Sequence, residues 1–403
     1  MRSAWDNQAV ALGIYISVPF CRTKCTYCNF ASDVFSRVLF ERYVDRVCSD
    51  VAESVRVADE MGGRFEREAD SIYHGGGTPT VLDCGQLRRM FDVVRKQFSV
   101  VPSAEITVEC APGTLSPKML ETLLACGVNR VSLGVQSFVD GEAAAVGRLH
   151  KRATVLDDIS HLRTAGIANI NVDLIAGLPH QTAASWKQSL DATIAAGAPH
   201  VSVYMLEVDD DSRLGRELIA GGTRYHAHFV PDDEAVADFY VTACETLEAA
   251  GVAQYEISNF ARPGFESRHN LKYWTRQPYL GFGVDAHSML ISATPELDAV
   301  RFLTADSLEK YIAAASFEKT EVSRAAALEE VFFLGLRLNR GINLVQVAET
   351  LGQAAMQSVR PAIRELTGLG LLQIDGDVVR LTPRGRLLSN EVFQSFIAHP
   401  ASA

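Results

Sequence analysis

The first half of the chain repeats one unit, a short apolar run followed by an amphipathic stretch of helical period. The runs with β-forming character are Gly13–Val18, Ser71–His74, Ala104–Glu109, Arg130–Gly134, Ala168–Leu174 and Pro199–Leu206. Between them lie Phe40–Ala58, Gly85–Phe98, Ser116–Cys126, Thr154–Ala165 and Ser185–Ala196, each with apolar residues recurring on one helical face. The last four of these end near Val100, Gly127, Gly166 and Gly197, and glycine suits a helix C-terminus. Near-continuous apolar strands joined by helices predict a parallel sheet covered on both faces. Six such units fit either an open doubly wound sheet or an incomplete barrel. The polar residues separate these: Cys21, His74 with the glycines after it, Glu109, Gln136 and Asp173 lie at or just past successive strand C-termini. In α/β barrels that is the face where the loops build the site. The expected fold is therefore α/β, a partial (β/α)6 TIM-like barrel over residues 1–206.

The pattern then changes. Residues 207–325 mix a helix (Asp232–Ala250), short strands (Gln254–Asn259, Gly283–Ser292) and loops, and are expected to complete the core. A C-terminal module over 326–403 has helical runs at Ala327–Asn339, Leu344–Leu351 and Pro361–Leu369. Asp375-Gly376 then marks a hairpin turn within Leu371–Leu381, and Thr382-Pro383 starts a last helix as N-cap and first residue. Helices followed by a hairpin predict a winged-helix-like α+β domain. Such a shape often binds DNA, but this stretch has 7 Lys+Arg against 7 Asp+Glu, no electrostatic footprint for nucleic acid. A role in covering a cofactor or a protein partner suits it better.

Composition narrows the class further. With 403 residues, 47% hydrophobic, the chain can bury a large core, and its net charge of -11 argues against a general nucleic-acid binder. The longest apolar candidate for a membrane segment, Ala9 to Phe20, is far shorter than the roughly 20 residues a spanning helix needs. It lacks the basic leader and cleavage site of a secretory signal, so a cytoplasmic protein is expected. Of 8 cysteines, three crowd one loop, which is not a disulfide framework. Cys48, Cys84, Cys110, Cys126 and Cys244 are dispersed and read as small buried hydrophobes.

The crowded three are Cys21, Cys25 and Cys28, spaced C-x3-C-x2-C directly after the first strand. Thiolates are the usual ligands of iron–sulfur clusters, and three of them on a 4Fe-4S cube leave one iron open. An open coordination position is where a metal site does chemistry. The pattern resembles the signature of radical S-adenosylmethionine (SAM) proteins, in which the open iron chelates SAM. Gly75-Gly76-Gly77-Thr78-Pro79 follows the second strand, and glycines let backbone approach a ligand closely. This segment resembles the GGE-type loop that holds the methionyl amino group of SAM, with Thr78 and Pro79 in place of the acidic form. Glu109, Gln136, Arg148 and Asp173 add carboxylates, an amide and a guanidinium, which match the charges and hydrogen-bonding groups of SAM.

Tyr15 through Cys28, the GGGTP segment, Gly134–Phe138, Asp173–Pro179 and Gln181 resemble the coproporphyrinogen dehydrogenase superfamily of radical SAM proteins. The similarity runs from about residue 12 to 393, and the haem chaperone branch (HemW type) is the nearer match. The decarboxylase branch has C-x3-C-x2-C-x-C, whereas Phe30 stands here in place of the last cysteine. That branch also has an N-terminal extension, and only about a dozen residues precede the first strand here. His269-Asn270-Leu271-Lys272-Tyr273-Trp274 matches the HNxxYW motif of the chaperone branch. Histidine is a normal haem ligand, the aromatics suit a porphyrin face, and Arg262, Arg268, Lys272 and Arg276 offer charge for propionates. From residues alone, a loop histidine held by hydrogen bonds is the better reading of His269, and haem ligation follows from the family resemblance.

The resemblance implies cluster ligation by Cys21, Cys25 and Cys28. It implies SAM contacts from Tyr15, Tyr27, Gly76, Gly77, Thr78, Glu109, Gln136, Arg148 and Asp173, with Tyr27 by the adenine, and haem ligation by His269. The cofactors expected are a 4Fe-4S cluster, SAM and haem. The partners expected are haem, acceptor haem proteins such as respiratory-chain enzymes, transient membrane contact, a homodimeric copy and no nucleic acid. Two other readings stay open: oxygen-independent oxidative decarboxylation of coproporphyrinogen III propionates, and a ring-opening haem methyltransferase.

Overall fold

A computed structural model describes residues 10–314 and 316–397. Residues 1–9 and 398–403, expected in the first and last domains, and Ala9 of the apolar run lie outside the described residues. All six expected strands form: β1 (Leu12–Val18), β2 (Glu68–Gly76), β3 (Ser99–Cys110), β4 (Arg130–Gln136), β5 (Asn169–Ala176) and β6 (His200–Met205). They pair in parallel in that order, with helices in the connections. The expected helix over Phe40–Ala58 divides into Val38–Ala52 and Ser54–Met61, where Glu53 leaves the helical region at φ -88, ψ 0. Gly197 takes φ 68 as the left-handed C-cap of Ala183–Ala196, a conformation that glycine adopts without a Cβ clash.

The strands are less uniformly apolar than near-continuous runs would be, and the difference organises the site. Leu12, Ile14, Ile16 and Val18 of β1 point outward and join one core with the helix residues Val47, Leu87 and Met90. Val131, Leu133 and Val135 of β4 and Ile170, Val172 and Leu174 of β5 do the same. Because strand side chains alternate, the other face of each strand looks into the barrel. There the residues are polar: Ser71 and Tyr73, Thr107 and Glu109, Arg130 and Ser132, Asn171 and Asp173, His200 and Ser202. Most of these are buried, so the barrel has an apolar outside and a polar inside. His74 belongs to the outer set. Its ring packs 4.2 Å from that of Phe91, away from the barrel interior where its place at a strand end had suggested it would lie.

The sheet does not close. Beyond β6 it continues as antiparallel β7 (Ala253–Glu256) and β8 (Asn259–Ala261), with β8 next to β6. Beyond β1 it continues through β9 (Tyr279–Gly283), parallel to β1, and antiparallel β10 (His287–Ser292), β11 (Leu297–Thr304) and β12 (Phe317–Ser323). The single strand expected over Gly283–Ser292 is thus the β9–β10 corner, turning at Gly283 (φ 99).

After Ser323, which caps helix Arg324–Gly335, the chain builds a second core of its own. Helices Leu344–Leu351 and Gln353–Gly368 precede a hairpin of Leu372–Asp375 and Val378–Leu381. Pro361 lies inside the second helix, which starts earlier than the sequence pattern indicates. Thr382 caps the next helix with Pro383 at its start. A buried ion pair of Arg276 with Glu330 (2.8 Å) ties the sheet to this second unit, and Arg276 also pairs with Asp298 (2.9 Å) on the sheet side. No helix among the described residues is long and apolar enough to cross a membrane.

Candidate functional site

The cysteine loop leaves β1 through Phe20, whose ring stacks 3.9 Å from Phe40 and anchors the start of the turn. Its backbone is then tied from several sides. Cys21 N–H donates to Asp33 O (3.0 Å), Thr26 N–H to Val146 O (3.2 Å), and Leu214 N–H to Thr26 O (2.8 Å). Lys24 Nζ donates to Phe30 O (2.8 Å) and Ser32 O (2.6 Å), closing the loop on itself. The three thiols stay free and half-buried, and burial pushes the Cys21 thiol above its ordinary range. Among the described residues no three His, Cys, Asp or Glu side chains gather closely enough to share one metal ion. A cube differs from a single ion, because it takes each thiolate on a separate iron. Three unpaired thiols on one held loop fit that donor set.

The glycine segment packs backbone to backbone on this loop. Gly77 N–H donates to Val18 O and Thr78 N–H to Phe20 O, both at 2.7 Å. A Cβ on Gly77 would stand 2.7 Å from Phe20 O and 3.0 Å from Cys21 Sγ, so only glycine permits this approach. Gly76 has φ 95 and turns the chain at the end of β2. Beside it, Tyr73 donates to Glu109 (2.8 Å). Burial and then the charge of Asp173 raise the Glu109 carboxyl to about 7. Asp173 accepts from Ser132 (3.0 Å) and Asn171 (2.7 Å), and burial raises its carboxyl too. Gln136 ends β4 at φ 69, past a register shift, which re-aims its side chain. Arg148 donates to the Tyr27 hydroxyl (3.1 Å).

These residues face one cavity of about 750 Å³. Cys21, Cys25, Cys28, Tyr27, Gly76, Gly77, Thr78, Glu109, Gln136, Arg148 and Asp173 all line it. Tyr15 does not; it lines an adjoining cavity of about 360 Å³ that shares Gly76, Gly77 and Glu109. The glycine cradle, the anionic pair and the guanidinium form a donor and acceptor set that fits SAM, which brings an ammonium, a sulfonium, a carboxylate and a ribose. Sequence reasoning missed a second group on the same cavity: Arg130, Asn171, Ser202, Asn259, Asn270 and Arg337, with Ser389 and Asn390 from the C-terminal domain. The strand members carried a signal, polar residues two apart on β4 and β5, which the apolar average of each run obscured. The C-terminal members carried none.

His269 is placed elsewhere. Helix Arg268–Trp274 plugs the N-terminal end of the barrel, and Glu105 accepts the backbone N–H groups of Arg268 (3.1 Å) and His269 (3.0 Å) at its start. The His269 ring is 1% exposed, with Nδ1 3.0 Å from Ser71 Oγ and Nε2 2.8 Å from the Tyr273 hydroxyl. Burial, then Lys272 and Arg130, lower its pKa to about 3, so it is neutral. His269 lines neither cavity. Three of the four cations expected to meet propionates are also engaged. Lys272 pairs with Asp70 (2.8 Å), Arg276 with Asp298 and Glu330, and Arg268 with Ser103 O (2.6 Å).

Residues 15–193 match the Radical SAM superfamily and residues 322–388 the HemN C-terminal domain. A protein of Bacillus subtilis (strain 168) named heme chaperone HemW is 33% identical over 95% of this chain and 98% of its own. The protein of the same name from Escherichia coli (strain K12) is 30% identical over 96% and 98%. The solved structure of coproporphyrinogen III oxidase (HemN) from Escherichia coli, a radical SAM enzyme, superposes with a TM-score of 0.80 at 23% identity. It covers 96% of this chain and 90% of that one, which establishes a shared fold. With its radical SAM core, its HemN-type C-terminal domain and near-complete similarity to these relatives, the chain belongs to the heme chaperone HemW family.

Proposed function

We propose that this chain is a haem chaperone: it binds haem and passes it to acceptor haem proteins, respiratory-chain enzymes among them. The observation that carries this reading is the end-to-end similarity, over 98% of their length, to relatives named for haem chaperoning. The replacement of a further cysteine by Phe30, 63% exposed beside the cysteine loop, supports it against the decarboxylase alternative. In this proposal Cys21, Cys25 and Cys28 hold a 4Fe-4S cluster, and Gly76, Gly77, Thr78, Glu109, Gln136, Arg148 and Asp173 hold SAM, with Tyr15 and Tyr27 at its edges. When bound, the cluster and SAM supply one-electron chemistry. The residues themselves bind, orient and enclose. Gly77 brings backbone donors and acceptors against the cluster loop, Asp173 is oriented by Ser132 and Asn171, and Arg148 by Tyr27.

Iron ligation by His269 belongs to the proposal in a conditional form. It requires the helix Arg268–Trp274 to release the ring from Ser71 and Tyr273. The test is an anaerobic titration of the cluster-reconstituted protein with haem, followed by absorption, with His269→Ala in parallel. Saturable 1:1 binding is expected. A Soret band identical in both proteins removes His269 as ligand but keeps the chaperone. Absence of specific haem binding, with turnover of coproporphyrinogen III, replaces the chaperone by the decarboxylase.

A further inference from the structure

Arg130 is a charged group of the barrel interior that the fold leaves without a hydrogen-bond partner among the described residues. It opens β4, and its side chain points inward with those of Ser132 and Gln136. The residue is 1% exposed and lines the 750 Å³ cavity. Its Nε is buried without a partner, and no hydrogen bond or ion pair of its guanidinium is seen among the described residues. A buried guanidinium is costly unless it is paired, since its charge has left water.

The neighbouring carboxylates do not finish it. Arg130 lowers the pKa of both Glu109 and Asp173 through its charge, so it lies within their field. Each carboxylate is nevertheless engaged by other donors, Glu109 by Tyr73 and Asp173 by Ser132 and Asn171. In the reading above, both also face SAM. A second guanidinium, that of Arg337, reaches the same cavity from the C-terminal domain. It stacks 4.3 Å over the Trp274 ring, its Nε is likewise buried and unpartnered, and its one carboxylate, Glu256, is 3.4 Å away. Asn259 and Asn270 supply amides on the wall between.

We infer that Arg130, with Arg337, forms a carboxylate subsite for a second ligand, separate from the group that holds SAM. Planar guanidinium donors match carboxylate geometry and discriminate it from neutral polar groups. Resting on the haem reading, the inference assigns the subsite to the propionate edge of the tetrapyrrole, and it moves that recognition from the HNxxYW cations to the barrel interior. The consequence is an orientation: the edge bearing the carboxylates enters the cavity and the apolar edge stays toward the mouth.

The experiment compares haem with its dimethyl ester, which keeps the ring and iron but removes both negative charges. Each is titrated into the cluster-reconstituted wild-type chain and into Arg130→Met and Arg337→Met. The ester is expected to bind wild type about tenfold more weakly than haem, the order of one charge-assisted hydrogen-bonded contact. Arg130→Met is expected to weaken haem by a similar factor and leave the ester unchanged. Equal affinity of wild type for haem and ester overturns the subsite while leaving haem binding intact. Binding of neither ligand by wild type overturns the haem reading, and the subsite assignment with it. The wild-type comparison stands even where Arg130→Met fails to fold.

Discussion

The two ends of the barrel both carry residues of ligand-binding type and hold them differently. At the C-terminal mouth, three thiols stay free on a loop whose backbone is tied down, and the glycines bring main chain within van der Waals reach of it. At the N-terminal floor, helix Arg268–Trp274 places His269, Lys272 and Tyr273 among partners that satisfy the histidine ring and the ammonium. A histidine, two aromatics and several cations in one short segment look like a ligand site by type. Whether such a segment is a site or a plug depends on whether its polar atoms are already spoken for. The mouth holds its backbone and leaves its three thiols free. The floor closes the side chains of His269 and Lys272.

The sharpest way to break this contrast is at the mouth. Gly77→Ala puts a Cβ 2.7 Å from Phe20 O and 2.8 Å from Val18 O, both backbone atoms that cannot swing aside. The cysteine loop must then move. We expect loss of most of the brown cluster absorbance after reconstitution, approaching that of Cys25→Ser, with the far-ultraviolet circular dichroism retained. A full cluster spectrum in Gly77→Ala would show that the backbone contact is dispensable and that the cysteines alone position the cube.

At the floor the expected effect is on stability. His269→Ala strands the Ser71 hydroxyl and the Tyr273 phenol in a buried place and opens a void. Unsatisfied buried groups cost about 1–3 kcal/mol. We expect the urea midpoint of the cluster-free chain to fall accordingly, with cluster content and SAM affinity unchanged. Unaltered stability together with an altered haem spectrum would reverse the assignment of this end, making the segment a ligand site held ready and not a plug.

What could be read in advance follows the same division. The six strands and their chemistry-bearing ends were legible, because strand period and glycine stops are local properties and the site lies where each strand stops. Glu109, Gln136 and Asp173 converge for that reason. Arg130 was not legible, since it stands at a strand start and only the barrel's curvature turns it toward the residues at the strand ends. Arg337, Ser389 and Asn390 reach the cavity from the C-terminal part of the chain, and no local pattern announces a contact made across such a sequence distance. His269 shows a further difference between residue type and environment. Residue type proposes a ligand, but burial and hydrogen-bond saturation are tertiary facts.

The smallest expected effect tests the electrostatics of the mouth. Burial and the charge of Asp173 hold the Glu109 carboxyl at about 7 in the ligand-free chain. Its folded value lies above the unfolded one, so its contribution to stability is fully present below about pH 4.5 and is lost as pH rises through 7. Ligand binding has the opposite slope. A cation such as the SAM ammonium prefers the ionised carboxylate, so binding expels the proton wherever Glu109 begins protonated. Affinity should therefore rise about tenfold from pH 6 to pH 8 and level off above, with proton release detectable by calorimetry in buffers of different ionisation enthalpy. Glu109→Gln should bind more weakly and with a flatter profile. A wild-type profile that is already flat would mean that the carboxylate is ionised before the ligand arrives, and the mouth would then be less desolvated than its burial implies.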